Sequence, residues 1–223
     1  MKLSIVIPFY NEENMIQKMY DALVAEINKI TKAEFEIIFI NDGSKDRTFE
    51  KMLAIADGDS RVKYISFSRN FGKEAGTIAG LEYATGEAVI LMDGDLQHPP
   101  ALLPQMIEAY EEGYDVVSAR RTRTGEKPHR TFLAKHFYRL ANKMMDIELM
   151  DGVSEFRLFS RKAVRAILSL QEYNRFSKGI FSWIGFKEKV IEYENQVRTV
   201  GETKYSLKFS LNYAIQGILS FND

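Results

Sequence analysis

Two aspartates separated by one glycine, Asp93-Gly94-Asp95, follow directly on the apolar run Ala88 to Met92. Carboxylates this close repel each other unless a cation sits beside them. Hard divalent ions such as Mg²⁺ or Mn²⁺ take carboxylate oxygen and commonly share their site with substrate phosphates. A turn with a helix-capping aspartate is the plainer account of the triplet taken alone. The buried strand before it and Leu96-Gln97-His98-Pro99-Pro100 after it favour chemistry. Gln97 offers a further neutral oxygen. His98 reads as a turn or supporting residue, because no His or Cys cluster accompanies it to make a zinc site.

Three more polar clusters follow apolar runs: Pro8-Phe9-Tyr10-Asn11-Glu12, Asn41-Asp42-Gly43-Ser44 and Ser68-Arg69-Asn70-Phe71-Gly72-Lys73. In open α/β sheets, ligands sit beyond the carboxyl ends of the strands. Asn41 to Ser44 alone fits a turn with capping residues, but four such ends converging point to a site. Basic residues crowd a later stretch: Arg120, Arg121, Arg123, Lys127 and Arg130, with Arg198 and Lys204 further on. Glu126 is the only acid between Arg120 and Arg130. A merely solvated loop would carry mixed signs, and arginine suits bidentate phosphate contact. Asp151 and Glu155 flank Gly152-Val153-Ser154, either as reactive carboxylates or as caps that order a loop.

The elements that must position these residues show in the patterning. Leu3 to Pro8, Phe35 to Ile40, Val62 to Phe67 and Ala88 to Met92 are near-continuous apolar runs, as in strands buried on both faces. Amphipathic stretches separate or follow them: Glu12 to Ile30, Arg47 to Ala56, Lys73 to Ala84 and Leu102 to Glu112, the last announced by Pro99-Pro100. Strict alternation predicts an α/β fold, a Rossmann-like, mostly parallel sheet with helices on both faces and right-handed crossovers. A fifth strand is expected over Asp115 to Ala119. Beyond it the pattern predicts a loop over Arg121 to Pro128, a basic helix over Thr131 to Met145 and a short strand over Phe156 to Phe159. A helix over Lys162 to Leu170 and a strand over Lys189 to Val197 follow. Ser206 to Phe221 reads as an amphipathic, aromatic helix, suited to core packing or to a membrane interface.

The chain of 223 residues fits one domain, and 45% hydrophobic content supplies a sizeable core. A formal net charge of -1 gives no global attraction to nucleic acid or anionic lipid, so any basic site is local. The absence of cysteine excludes disulfides and thiolate chemistry. Met1 to Tyr10 runs straight into a strand pattern, so no signal peptide is expected. No stretch reaches the roughly 18 uninterrupted apolar residues of a spanning helix; the chain as given is expected to be soluble or to rest on a membrane. A Rossmann dehydrogenase is disfavoured, because no Gly-x-Gly-x-x-Gly follows the first strand.

Taken in order, Ile5 to Glu12, Asn41 to Asp46, Ser68 to Glu74, Asp93 to Pro100, Phe156-Arg157-Leu158 and Arg198 to Tyr205 resemble glycosyltransferase family 2. The resemblance is closest to its polyprenyl-phosphate sugar transferases, the dolichyl-phosphate mannose synthases and bactoprenol glucosyltransferases. It spans nearly the whole chain and implies a GT-A type catalytic domain over residues 1–205, with a nucleotide-sugar half (1–98) and an acceptor half (99–205). Residues 206–223 would form an interfacial helix leading to transmembrane helices missing from this chain. Pro8, Tyr10, Glu12 and Asp42 would line the base and ribose pocket, with Lys73 near the sugar nucleotide. Asp93, Gly94 and Asp95 would hold the diphosphate, through Mg²⁺ or Mn²⁺ bound by Asp93, Asp95 and Gln97.

Arg120, Arg130 and Arg198, with Lys204, would handle phosphate. Relatives carry an acid before Phe156 that faces the sugar; many have Asp immediately before that Phe, where this chain has Glu155, and whether Asp151 or Glu155 takes that role stays open. The implied reaction is inverting, metal-dependent transfer of a hexose, glucose first, to a polyprenyl (undecaprenyl) phosphate at the cytoplasmic face of the membrane. A UDP-sugar is favoured over a GDP-sugar, no nucleic acid partner is expected, and homo-oligomers are common among relatives. Two other readings stand beside it: a family 2 transferase acting on a sugar hydroxyl in polysaccharide or glycoconjugate assembly, and a non-catalytic nucleotide-sugar-binding module. A phosphate monoester, with a second pKa of about 6, is already largely a dianion and needs no base, whereas a hydroxyl acceptor does.

Overall fold

The computed structural model describes residues 1–122, 152–170 and 177–194. Apolar side chains on both faces of the leading strands demand cover on both sides, and the fold supplies it. In β1 (Lys2–Phe9), Leu3, Ile5, Ile7 and Phe9 face one way and Val6 the other. The first set packs with α1 (Ile16–Ile27), α2 (Thr48–Gly58) and α4 (Leu103–Glu111), through Met19, Leu23, Met52 and Met106. The second packs with α3 (Lys73–Tyr83), α5 (Arg161–Ser169) and α6 (Ser177–Trp183), through Leu81, Val164, Ile167 and Phe181. At roughly 25 cal/mol per Å² of apolar area, these two layers are the main stabilising force.

The strands β2 (Glu34–Asn41), β3 (Val62–Ser66), β4 (Ala88–Leu91), β5 (Val116–Arg121), β6 (Val153–Ser160) and β7 (Glu188–Tyr193) complete one sheet in the order β3-β2-β1-β4-β6-β5-β7. The pairs β1–β2, β1–β4, β2–β3 and β5–β7 are parallel, whereas β6 runs antiparallel between β4 and β5. The expected mostly parallel sheet with helices on both faces is therefore present.

One expectation changes. Val62 to Phe67 does not form a strand buried on both faces: β3 is an edge strand with Lys63 and Tyr64 exposed, because only β2 flanks it. The short helix α6 had no expectation. Pro100 to Leu102 forms a 3₁₀ turn ahead of α4, and the Ser160 hydroxyl accepts from Ala163 N at 3.3 Å to cap α5. The strand expected to reach Val197 is described as far as Tyr193. The helices expected over Thr131 to Met145 and Ser206 to Phe221 lie outside the described residues. Among those described, no helix is long and apolar enough to cross a membrane.

Candidate active site

Strand direction gathers the polar clusters on one rim. β1 to β5 and β7 all end there, and β6 begins there, with Arg157 opposite Leu91 and Val153 opposite Arg120. Asp93 and Asp95 after β4, Glu155 near the start of β6 and Arg120 near the end of β5 therefore share an edge.

Side chains lace the first loops together. Asn11 N donates to Ser44 Oγ at 3.0 Å, Lys45 N to Asn11 Oδ1 at 2.8 Å and Glu12 N to Thr48 Oγ1 at 2.8 Å. Asn11 holds φ +52°, which asparagine tolerates better than most residues. Asn41 Nδ2 donates to Ser66 Oγ at 2.9 Å. The result is a cleft of about 510 Å³ lined by Tyr10, Asn41, Ser44, Phe49, Phe67 and Arg69 among others, a volume suited to a small organic ligand. Tyr10 lines it. Pro8 lies half-buried within β1, and the Glu12 carbonyl accepts from Met15 and Ile16 to turn the chain into α1.

Asp42 was expected to meet a base or ribose, but its carboxylate is already engaged. It is buried, and it accepts from Phe71 N at 2.7 Å, Asn70 Nδ2 at 2.9 Å and Gly72 N at 3.0 Å. Burial raises its pKa, against the lowering effect of those backbone donors. Asp42 thus shapes the cleft wall without lining the cleft. Gly43 lies beneath the same loop at φ +62°; a Cβ there would stand 2.6 Å from Asn70 N and 2.7 Å from Arg69 Cα. Above it, the Arg69 guanidinium sits 4.3 Å from the Phe71 ring centre.

The Asp93–Asp95 turn is held from below. Asp93 N donates to His98 Nδ1 at 3.0 Å, which requires that nitrogen to be unprotonated. Burial pulls the His98 pKa down, the Asp93 carboxylate opposes this, and the Lys73 ammonium reinforces it. The ring stacks on Phe156 at 5.4 Å, so His98 supports the turn from below. Gln97 N donates to Asp95 Oδ1 at 3.1 Å. Gly94 is required because a Cβ there would stand 2.6 Å from Phe9 Cδ1. Leu96, at φ +60°, concentrates backbone strain here.

Lys73 joins the two halves of the rim. Its Nζ lies 2.5 Å from Asp93 Oδ1 and 2.6 Å from Glu155 Oε2. Burial alone would lower its pKa, but the two carboxylates outweigh that and hold the ammonium well above the ordinary lysine value. Among the described residues, no group of three or more His, Cys, Asp or Glu could hold a metal. Two carboxylates at a strand end suit a hard ion that keeps part of its shell for water or substrate phosphate, not one caged by protein.

Across the rim, Arg120 is half-exposed and pairs through Nε and Nη2 with Glu192 Oε1. Arg121 N donates to Gly152 O at 3.0 Å, and Thr122 N to Tyr193 O at 2.8 Å. Tyr193 went unnoticed in the sequence. Burial raises its hydroxyl pKa, its bond with Ser154 and the charge of Arg121 oppose that, and the Asp93 and Asp95 charges reach it. Alternation along β7 was the available signal. Deeper in β6, the buried Arg157 lies 5.2 Å from the Phe181 ring centre, and burial depresses its pKa. Arg123, Lys127, Arg130, Asp151, Arg198 and Lys204 lie outside the described residues.

Comparison with known proteins bears on the family and the fold. Residues 4–168 match the family described as Glycosyl transferase family 2. CsbB of Bacillus subtilis (strain 168), provisionally named a glycosyltransferase, is 50% identical over 220 residues, 99% of this chain and 67% of that protein. A prophage bactoprenol glucosyl transferase homolog of Escherichia coli (strain K12) is 42% identical over 223 residues, 100% of this chain and 72% of that protein. Among solved structures, glucosyl-3-phosphoglycerate synthase from Mycobacterium tuberculosis, in complex with Mn²⁺, UDP-glucose and glycerol 3-phosphate, shares the fold. Its TM-score is 0.57 at 20% identity, covering 97% of this chain and 77% of that one.

Proposed function

The chain belongs to glycosyl transferase family 2 and is a glycosyltransferase of GT-A fold, and from that premise we propose that it transfers a hexose, glucose first, from a nucleoside-diphosphate sugar to a polyprenyl phosphate such as undecaprenyl phosphate. The observation that carries this reading is the shared rim, where the cleft at β1 to β3, the Asp93–Asp95 pair and the arginine-bearing end of β5 meet. Likeness to proteins named bactoprenol glucosyl transferase supports the acceptor. The neighbour that binds UDP-glucose and Mn²⁺ supports the donor and the ion.

In this account the cleft beside Tyr10 takes the nucleoside, with UDP ahead of GDP. Asp93 and Asp95, with Gln97, would hold Mg²⁺ or Mn²⁺, which when bound neutralises charge on the departing nucleoside diphosphate. Arg120, together with Arg130, Arg198 and Lys204 on the acceptor half, would hold the lipid phosphate as a dianion. A phosphate oxygen then bonds to the anomeric carbon as its bond to the donor diphosphate breaks, with inversion and with the electron pair leaving on the diphosphate. Lys73, paired with Asp93 and Glu155, would lie where the two substrates meet. The division into residues 1–98 for donor, 99–205 for acceptor and 206–223 for the membrane interface belongs to the same proposal, as does action at the cytoplasmic face.

Glu155 also favours a second reading, transfer to a sugar hydroxyl, because a carboxylate beside Asp93 is placed to take a proton. Labelled UDP-glucose, UDP-GlcNAc and GDP-mannose, each offered with a short polyprenyl phosphate to the protein in its full natural length, test the proposal. Labelled lipid from UDP-glucose is expected, and no labelled lipid from any donor would sink it. Asp151→Asn and Glu155→Gln together separate the two readings: transfer to a phosphate survives both changes, whereas transfer to a hydroxyl is lost in one of them.

A further inference from the structure

Lys73 is held more firmly than a surface lysine. The loop before it is fixed by Asp42, and Gly76 N donates to Gly72 O at 3.2 Å to close the first turn of α3. Its neighbour Glu74 accepts from the Ser177 hydroxyl, which ties the start of α3 to the start of α6. The ammonium is thereby aimed at two carboxylates from different strands, Asp93 after β4 and Glu155 in β6. Side-chain exposures of 32% for Lys73, 30% for Asp93 and 17% for Glu155 leave these charges less screened than a surface pair. Asp95 follows two residues on, and the unprotonated Nδ1 of His98 faces Asp93 N.

A divalent ion shared by Asp93 and Asp95 must compete with this ammonium, because two cations on one carboxylate repel. Resting on the reading of Asp93 and Asp95 as ion ligands, we propose that Lys73 is a positioning residue that stands in for the ion. It keeps Asp93 and Glu155 together while the donor is absent. It leaves Asp93 only when the ion arrives with a nucleoside diphosphate, whose phosphate oxygens become its new partners. Ion entry is thereby tied to donor entry, and Glu155, on the acceptor side, loses part of its counter-charge only once the donor is loaded.

Titration of the full chain with Mn²⁺, following free ion by electron paramagnetic resonance with and without UDP, tests this. The wild type is expected to bind Mn²⁺ weakly alone and much more tightly with UDP. Lys73→Met is expected to bind Mn²⁺ alone at least about tenfold more tightly than wild type, a coupling of ordinary size. Lys73→Arg, which keeps the charge, should restore the weak binding. If Lys73→Met binds Mn²⁺ alone no better than wild type while both still bind it with UDP, the proposal is overturned and the donor site stands. If folded wild type binds no Mn²⁺ even with UDP, the donor-site reading falls and takes the proposal with it. Should Lys73→Met fail to fold by thermal unfolding, Glu155→Gln carries the test. It leaves the ammonium wholly to Asp93, so Mn²⁺ alone must bind no better than to wild type, and a gain would overturn the proposal.

Discussion

The two ends of the catalytic rim are built differently. From β1 to β4, backbone donors and short polar side chains tie loop to loop: Asn11 to Ser44 and Lys45, Glu12 to Thr48, Asp42 to Phe71 and Gly72. From β5 to β7, long charged side chains meet at the strand ends, as in Arg120 with Glu192, whose side chains are 40% and 55% exposed. Ties of the first kind leave few alternative geometries, and ties of the second kind re-form around a partner at small cost. The β1–β4 end, proposed to take the donor, thus resembles a mould, and the β5–β7 end, proposed to take the acceptor, a charged surface open to a larger guest.

The sharpest break in that comparison comes from Asp93→Asn or Asp95→Asn. Each should lower the transfer rate on the order of a thousandfold, because the developing diphosphate charge loses its counter-ion. A steady-state assay with a Mn²⁺ titration checks this. Retained activity would remove the pair from the donor site. Gly43→Ala comes next. Its Cβ would be driven into the backbone of residues 69 and 70, so denaturant unfolding should show a loss of about 2–3 kcal/mol together with weaker nucleotide binding.

On the acceptor side, Arg120→Ala should leave stability and UDP affinity nearly unchanged, since an exposed pair contributes little. It should nevertheless reduce kcat/KM for the phosphate acceptor about tenfold. A similar stability loss at both ends would erase the distinction.

The gentlest test is acid. The Arg61 guanidinium bonded to Asp59 holds that carboxyl at about 2 despite partial burial. Burial would raise the pKa of Glu36, but hydrogen bonds from Lys63, Ser4 and Thr85 outweigh it and hold the group far below the usual range. Both folded-state values lie below the unfolded ones. Their stabilisation is therefore complete above the ordinary carboxylate pKa, near 4, and is lost as pH falls toward 2 and below. Both groups belong to the β1–β4 half, away from the rim, so amide exchange at falling pH should rise first in β2 and β3.

Much of this was legible in the sequence. The apolar runs marked β1, β2 and β4 because strands covered on both faces leave no polar positions, and the polar residues after them marked the rim. The direction of β6 was not legible. Phe156 to Phe159 reads as a strand either way, and only pairing with β4 and β5 sets its sense. The exposure of Lys63 and Tyr64 depends likewise on β3 having a single neighbour. The seven residues of α6 are too few to show a helical period. Asp42 stands out in the sequence, but its partners Phe71 and Gly72 are backbone donors, which no residue type announces. That Lys73 would reach both Asp93 and Glu155 follows from β6 lying against β4, a long-range fact.

The most direct test of the central claim compares two acceptors that differ in one group. The full-length protein, given labelled UDP-glucose and Mn²⁺, is offered a polyprenyl monophosphate and the matching polyprenol. The account predicts labelled glycolipid from the phosphate and none above background from the alcohol. Equal labelling of the alcohol, or none of either, would contradict it.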